Sequence, residues 1–204
     1  MSQNILETTA PFNNIMVSDE KLRKKAKLTL NKAEILLDNE AFKKSASQFK
    51  KAGELFDELH EWKIAEQCYF YSSKNYTRIG KYYQAALMQR HAANNSLRAL
   101  DYQKARDYFD VGAKSVLKAD VSRLDEFVAE NIGFAFLCYF VQGKYQEGIS
   151  HVKRFKSRID PDLFNSNLML IIAQQVTSAV VNKDESHIDK LLDQYSLFKF
   201  TEME

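Results

Sequence analysis

The clearest pattern along the chain is an aromatic residue followed three positions later by a small one, recurring every 20 residues. The pairs are Phe42/Ser45, Trp62/Ala65, Tyr82/Ala85 and Tyr102/Ala105. A further small residue stands ten positions after each aromatic, at Ala52, Ser72, Ala92 and Gly112. One helix and a short turn fill 20 residues, so two periods make a helical hairpin. The pattern predicts stacked antiparallel hairpins, with small residues where neighbouring helices approach.

Apolar residues at helical spacing predict the extent of each element. Residues 1–17 are polar and aperiodic, and we expect a flexible segment there, followed by one domain over residues 18–204. The first helix is predicted from Ser18, a capping residue, to about Asp38. Regular repeats are predicted over residues 41–119. Their four helices are predicted at 41–59, 62–79, 82–99 and 102–118.

The regular register ends before residue 122, where Ser122 replaces the expected aromatic. A more globular helical cap is predicted over residues 123–198. Its helices are predicted at 124–142, from Tyr145 to near Arg158, at 163–181 and at 186–198. Gly80 is predicted to end its helix in the left-handed conformation, because glycine adopts positive φ without steric cost. The predicted fold is all-α, a right-handed superhelix of about eight helices resembling tetratricopeptide solenoids.

Composition narrows the function classes. With 6 Gly and 2 Pro in 204 residues, the chain is poor in turn-formers, which favours helices throughout. The net charge of +2 gives no overall argument for nucleic acid binding. Cys68 and Cys138 lie in apolar helical contexts, so buried free thiols in a reducing cytosol are expected, although a disulfide between them is compatible with the sequence. Neither a signal peptide nor a membrane span is predicted.

The sequence offers no arrangement of residues for catalysis. The four histidines are far apart and lack the spacing of metal ligands, and there is no glycine-rich phosphate loop or nucleophile elbow. We therefore predict no catalytic, cofactor-binding or metal-binding residue. The aromatic residues at helical spacing are interpreted as core.

Basic residues follow the same 20-residue period and suggest a binding surface. Lys74 and Arg78 stand 12 and 16 positions after Trp62, and Lys114 and Lys118 stand 12 and 16 positions after Tyr102. These positions share a helix face, and alternate helices of a hairpin stack share a layer. The four residues are therefore predicted to lie side by side. A second basic cluster closes the helix that begins at Tyr145: Lys153, Arg154, Lys156 and Arg158. A solvated face is the alternative interpretation of both clusters.

Several stretches resemble the SNAP family, the soluble attachment proteins that couple a disassembly ATPase to SNARE bundles. The resemblance spans about residues 24–196 and rests on 49–56 (FKKAGELF), 61–68 (EWKIAEQC), Leu137-Cys138-Tyr139 and 189–195 (DKLLDQY). It implies a cytoplasmic, monomeric adaptor that binds a SNARE-like coiled coil and an AAA+ ATPase in vesicle trafficking. At most peripheral membrane association is implied.

The chain departs from the family at two points. Only Asn39-Glu40 separates the first two predicted helices, where the family carries an apolar membrane-attaching loop. The chain ends Glu202-Met203-Glu204, where the family has a leucine that engages the ATPase. SNARE-like binding is thus the best-supported expectation. The alternative is a tetratricopeptide-like scaffold that binds a peptide in its concave groove.

Overall fold

The computed structural model describes residues 10–119, 125–157 and 160–196, with side chains from residue 18 to residue 191 outside the gaps and residue 125. This part of the chain contains ten helices and no strand. The helices are α1 (Ala10–Asp38), α2 (Phe42–Glu58), α3 (Trp62–Arg78), α4 (Tyr82–Arg98), α5 (Tyr102–Lys118), α6 (Asp125–Val141), α7 (Tyr145–Lys156), α8 (Pro161–Ser166), α9 (Leu168–Val181) and α10 (Glu185–Ser196).

Helices α2 to α5 confirm the 20-residue period. Each is 17 residues long, begins at the aromatic residue of its repeat and packs against the next helix. The small residues ten positions after each aromatic are all buried, as the close approach of packed helices requires. The predicted all-α stack of helical hairpins is therefore confirmed, and the right-handed sense of its superhelix stays a prediction.

The turns between the helices repeat one geometry. The left-handed residue at the end of α3 is Gly80, as predicted, with φ of 71°. Its N–H donates to Thr77 O, and the N–H of Lys81 donates to Tyr76 O, which is the Schellman pattern that satisfies the last carbonyls of a helix. The other positive-φ residues of the described chain end helices in the same way: Glu40, His60, Leu100, Gly143 and Lys183.

Helix α1 begins eight residues earlier than predicted, at Ala10 instead of Ser18. The backbone of residues 10–17, which the sequence predicts as a flexible segment, is therefore helical. Pro11 falls in the first turn, where proline is tolerated because its missing N–H would have no partner inside the helix.

Ion pairs show that alternate helices are neighbours. Four pairs join residues 38 to 41 positions apart, which is two repeats along the chain. They are Arg23–Glu61, Asp57–Arg98, Glu66–Lys104 and Arg90–Glu130. Because each pair joins a helix, or the cap before it, to the helix two places along, odd-numbered and even-numbered helices form the two layers.

Helix α6 is the centre of the C-terminal part. It packs against α5, α7, α8 and α9, and every residue from Asn131 to Cys138 is buried. Gly133 makes the contact with α9 possible, because a Cβ at this position would come within 2.2 Å of the Met169 Cβ. The almost uniformly apolar α6 is therefore covered on several sides, as such a helix requires.

The predicted helix over residues 163–181 is wrong as one element. It is divided into α8 and α9 at Asn167, whose backbone is extended at ψ of 123°. The Asn167 side chain accepts hydrogen bonds from the N–H groups of Met169 and Leu170 and so starts a new helix. Asp160 caps α8 in the same way ahead of Pro161. This division accounts for the difference between the nine predicted helix ranges and the ten helices of the described residues.

Candidate functional site

Lys74 and Arg78 are exposed on α3, and each cation lies over an aromatic ring. The Lys74 Nζ is 5.0 Å from the centre of the Phe70 ring, and the Arg78 guanidinium is 5.0 Å from that of Phe42. Such contacts are worth about 0.5–1 kcal/mol at exposed sites. They orient the two side chains while leaving their charges accessible to a partner.

Arg98, the equivalent of Arg78 one repeat later, forms its contacts within the fold. It lies 4.9 Å above the Trp62 ring and pairs with Asp57 at 2.7 Å. The position equivalent to Asp57 one repeat earlier is Leu37, which has no charge. Among the described residues, Arg78 forms no ion pair. The period therefore places arginine in both repeats, but only Arg78 keeps a free charge.

Lys114 and Lys118 lie exposed on α5. Lys114 pairs with Asp110 one turn earlier, which reduces its net charge towards a partner. Lys118 closes the last turn, where a cation stabilises the negative end of the helix dipole, and it has no ion pair within the described part of the chain. The two lysines thus differ, and Lys118 is the more available.

The helices that carry these four residues are neighbours. Glu66 on α3 accepts hydrogen bonds from both Lys104 Nζ, at 3.0 Å, and Tyr108 Oη on α5. The ring centres of Phe70 and Tyr108 are 5.9 Å apart. Since Lys74 covers Phe70, its amine lies close to the seam between α3 and α5. The structure therefore places Lys74 and Arg78 on the helix adjacent to Lys114 and Lys118.

The described residues of the second predicted cluster have two different surroundings. Lys153 and Lys156 line a cavity of about 320 Å³ between α7 and α9, and the Lys156 Nζ lies 5.3 Å from the centre of the Phe164 ring. The charge of Arg154 acts on His151, which lies one turn earlier on α7, and so does the charge of Lys114 on α5. Arg158 lies outside the described residues. The described members of the cluster therefore have different surroundings: Lys153 and Lys156 line the cavity, and the charge of Arg154 reaches His151.

His151 is the buried group between the two clusters. It is 3% exposed, lies against the rings of Tyr139 and Phe155, and has its Nδ1 3.9 Å from Asp110 Oδ1. Burial lowers the pKa of His151 to about 4, and the Asp110 carboxylate opposes this shift only in part. The positive charges of Arg154, Lys114 and Arg106 lower it further. His151 is therefore neutral at pH 7.

Both cysteines are free and buried, which confirms the prediction of buried free thiols. Burial raises the pKa of Cys68 to about 12 and that of Cys138 to about 12, so neither is a nucleophile at neutral pH. Among the described residues no group of three or more histidines, cysteines and carboxylates could hold a metal ion. Nor does any helix in this part of the chain have the length and apolar character needed to cross a membrane.

Sequence reasoning missed the carboxylates that hold the layers together. Asp57, Glu66 and Glu130 face cations two repeats away. A search for opposite charges about 40 residues apart would have found them, because that spacing joins neighbours of one layer. Such a search would also have separated Arg98, which is paired, from Arg78.

A stack of helical hairpins in which each helix from α1 to α6 packs against the next is the architecture of the helical-repeat proteins. The family model described as soluble NSF attachment protein, SNAP, matches residues 13–202. The chain belongs to the SNAP family, which is a family of non-enzymatic adaptors. No significant match was found among curated proteins or among solved structures.

Proposed function

We propose that this protein is a SNAP-like adaptor that binds a helical, SNARE-like bundle through the basic face of α3 and α5. The observation that carries the proposal is the position of Lys74, Arg78 and Lys118: all three are exposed, and none is paired with a carboxylate among the described residues. A row of free cations fits an acidic helical partner, for which it provides attraction over a distance and sets the register.

The C-terminal part has a separate role in this proposal. Lys153 and Lys156 form a second basic surface beside α9, and Arg154, with Arg158 beyond the described residues, belongs to the same sequence cluster. The end of the stack at α10 faces the AAA+ disassembly ATPase that the family suggests. The protein would act as a monomer in the cytoplasm, at vesicle or other membranes that it contacts at most peripherally.

The test is a charge reversal that spares structural ion pairs. We expect Lys74→Glu, Arg78→Glu and Lys118→Glu, combined in one variant, to weaken binding to a purified acidic SNARE bundle by about tenfold or more. Lys114 is left unchanged, because a glutamate there would stand one turn from Asp110. Titration calorimetry at two salt concentrations measures the change, and the wild type should lose more affinity with added salt than the variant.

The control carries the same charge change on the other layer. Lys43, Lys44 and Lys51 are exposed on α2, and their combined reversal should leave binding near the wild-type value. Thermal melts of both variants show that each is folded. Wild-type affinity in the α3/α5 variant, or equal loss in both variants, would mean that this face is not the binding surface.

A further inference from the structure

A groove opens between α1 and α3, the two helices that the Arg23–Glu61 ion pair joins. Its cavity measures about 420 Å³, which lies within the range of pockets that hold small ligands or anchor side chains. The walls are built by apolar residues of three helices. They are Leu30 and Leu37 of α1, Phe49 of α2, and Ile64, Cys68 and Tyr71 of α3.

Two of these apolar residues face solvent. Ile64 and Tyr71 are 37% and 44% exposed, and they share one face of α3 because they are seven positions apart. The Tyr71 ring is stacked on that of Phe49, with centres 5.3 Å apart and an angle of 23° between the planes. This contact fixes the ring at the mouth, so the groove is formed without a partner.

The α1 side of the groove is acidic. Glu34 and Asp38 lie one turn apart, both are exposed, and neither forms an ion pair with a described side chain. The Glu34 carboxylate is close enough to the floor that its charge adds to burial in raising the pKa of the Cys68 thiol. The groove therefore combines an apolar floor with two carboxylates whose charges are not neutralised within the fold.

We propose that the α1/α3 groove is a second binding site, which takes a peptide segment with one large apolar side chain flanked by lysine or arginine. The apolar side chain fills the cavity against Tyr71 and Ile64, and the flanking cations meet Glu34 and Asp38. This site has the opposite charge to the basic face of α3 and α5. One chain can thus hold two partners of opposite charge, and the proposal does not depend on what the basic face binds.

The test uses two synthetic peptides that differ only in charge. One is a fluorescein-labelled dodecapeptide with a central Leu-Phe flanked by lysines, and the other has glutamate at each lysine position. We expect saturable anisotropy with the lysine peptide and at least about tenfold weaker binding of the glutamate peptide. Glu34→Gln combined with Asp38→Asn should weaken binding of the lysine peptide by a similar factor, and Ile64→Ala should weaken binding of either peptide.

Matched controls lie on α9 and α10. Glu185 and Asp189 are exposed carboxylates with the same four-residue spacing, and Val181 is an exposed apolar residue. Glu185→Gln with Asp189→Asn, and Val181→Ala, should leave binding unchanged. Absence of saturable binding, equal binding of the two peptides, or an equal loss in groove and control variants would overturn the proposal. Loss of SNARE-bundle binding in the α3/α5 variant is measured separately, so failure of one site is distinguishable from failure of the other.

Discussion

Leu100 ends α4 in the left-handed conformation, with φ of 59°, and its side chain is 71% exposed. This conformation costs a residue with a Cβ about 1–2 kcal/mol. Glycine avoids this cost but loses more conformational freedom on folding, which offsets part of the stabilisation. We expect Leu100→Gly to raise the free energy of unfolding by about 0.5–1 kcal/mol, which urea denaturation measures. The Leu100 side chain contributes little to compensate.

The control for Leu100→Gly reverses the exchange at the equivalent position. Gly80 has φ of 71°, and a Cβ added to it would meet no atom within 4 Å. Gly80→Ala should therefore lower the free energy of unfolding by about 1 kcal/mol through the backbone alone. If both substitutions destabilised the protein, the left-handed turn would not be the source of strain at residue 100.

The turns between the helices differ in how well a single residue predicts the left-handed conformation. Gly80 could be predicted as a left-handed cap, because glycine is the usual signal for that conformation. His60 and Leu100 carry no such signal and are placed there by the 20-residue period, which fixes where each helix must end. In the candidate site, the residue types alone could not separate Arg78 from Arg98, because the difference is the carboxylate Asp57 two helices away.

At the scale of elements, His151 of α7 is buried next to Asp110 of α5 and is in its neutral form. Its pKa is about 6.5 when unfolded and about 4 in the fold, so the unfolded chain binds more protons between these values. Stability from this group is therefore complete above pH 6.5 and is lost as the pH falls towards 4. We expect a loss on the order of 3 kcal/mol, measured by urea denaturation across that range.

The comparison for His151 is a variant that keeps an aromatic ring without a titrating group. His151→Phe should lack this part of the pH dependence, whereas His187→Gln on the exposed face of α10 should keep it. His187→Gln shows whether replacing any histidine has this effect, so the difference between the curves of wild type and His151→Phe reports the removal of the buried imidazole beside Asp110. Identical curves for wild type and His151→Phe would contradict the assignment.

Elements were predictable wherever their ends carry a repeated signal. The ends of α2 to α5 follow from the aromatic residue and the period, whereas the division between α8 and α9 does not. Apolar residues continue across that division, and only the Asn167 side chain, which could equally face solvent inside a helix, starts the second helix. The α1/α3 groove was missed for a similar reason, because its apolar residues belong to three helices and none forms a contiguous stretch.

At the scale of the whole molecule, the described chain has two hydrophobic clusters that meet at α4. The first includes Phe56 and Met88, and the second extends from Ala86 to Leu191. Between them, the buried Gln89 donates a hydrogen bond to Ser73 at 2.6 Å. The sequence pattern changes only after residue 119, but packing changes at α4, because the two faces of that helix cover different clusters.

Two separate clusters predict that the molecule unfolds in parts, as stacked repeats do when each contacts only its neighbours. Phe56 is 1% exposed in the first cluster, and Ile132 is fully buried in the second. Phe56→Ala should cost about 3–5 kcal/mol and Ile132→Ala about 2–5 kcal/mol. By hydrogen exchange and mass spectrometry, we expect the first to speed exchange in α1 to α3 and the second in α5 to α9. A uniform change over all helices in either variant would show one cooperative unit, and α4 would then transmit stability between the clusters instead of separating them.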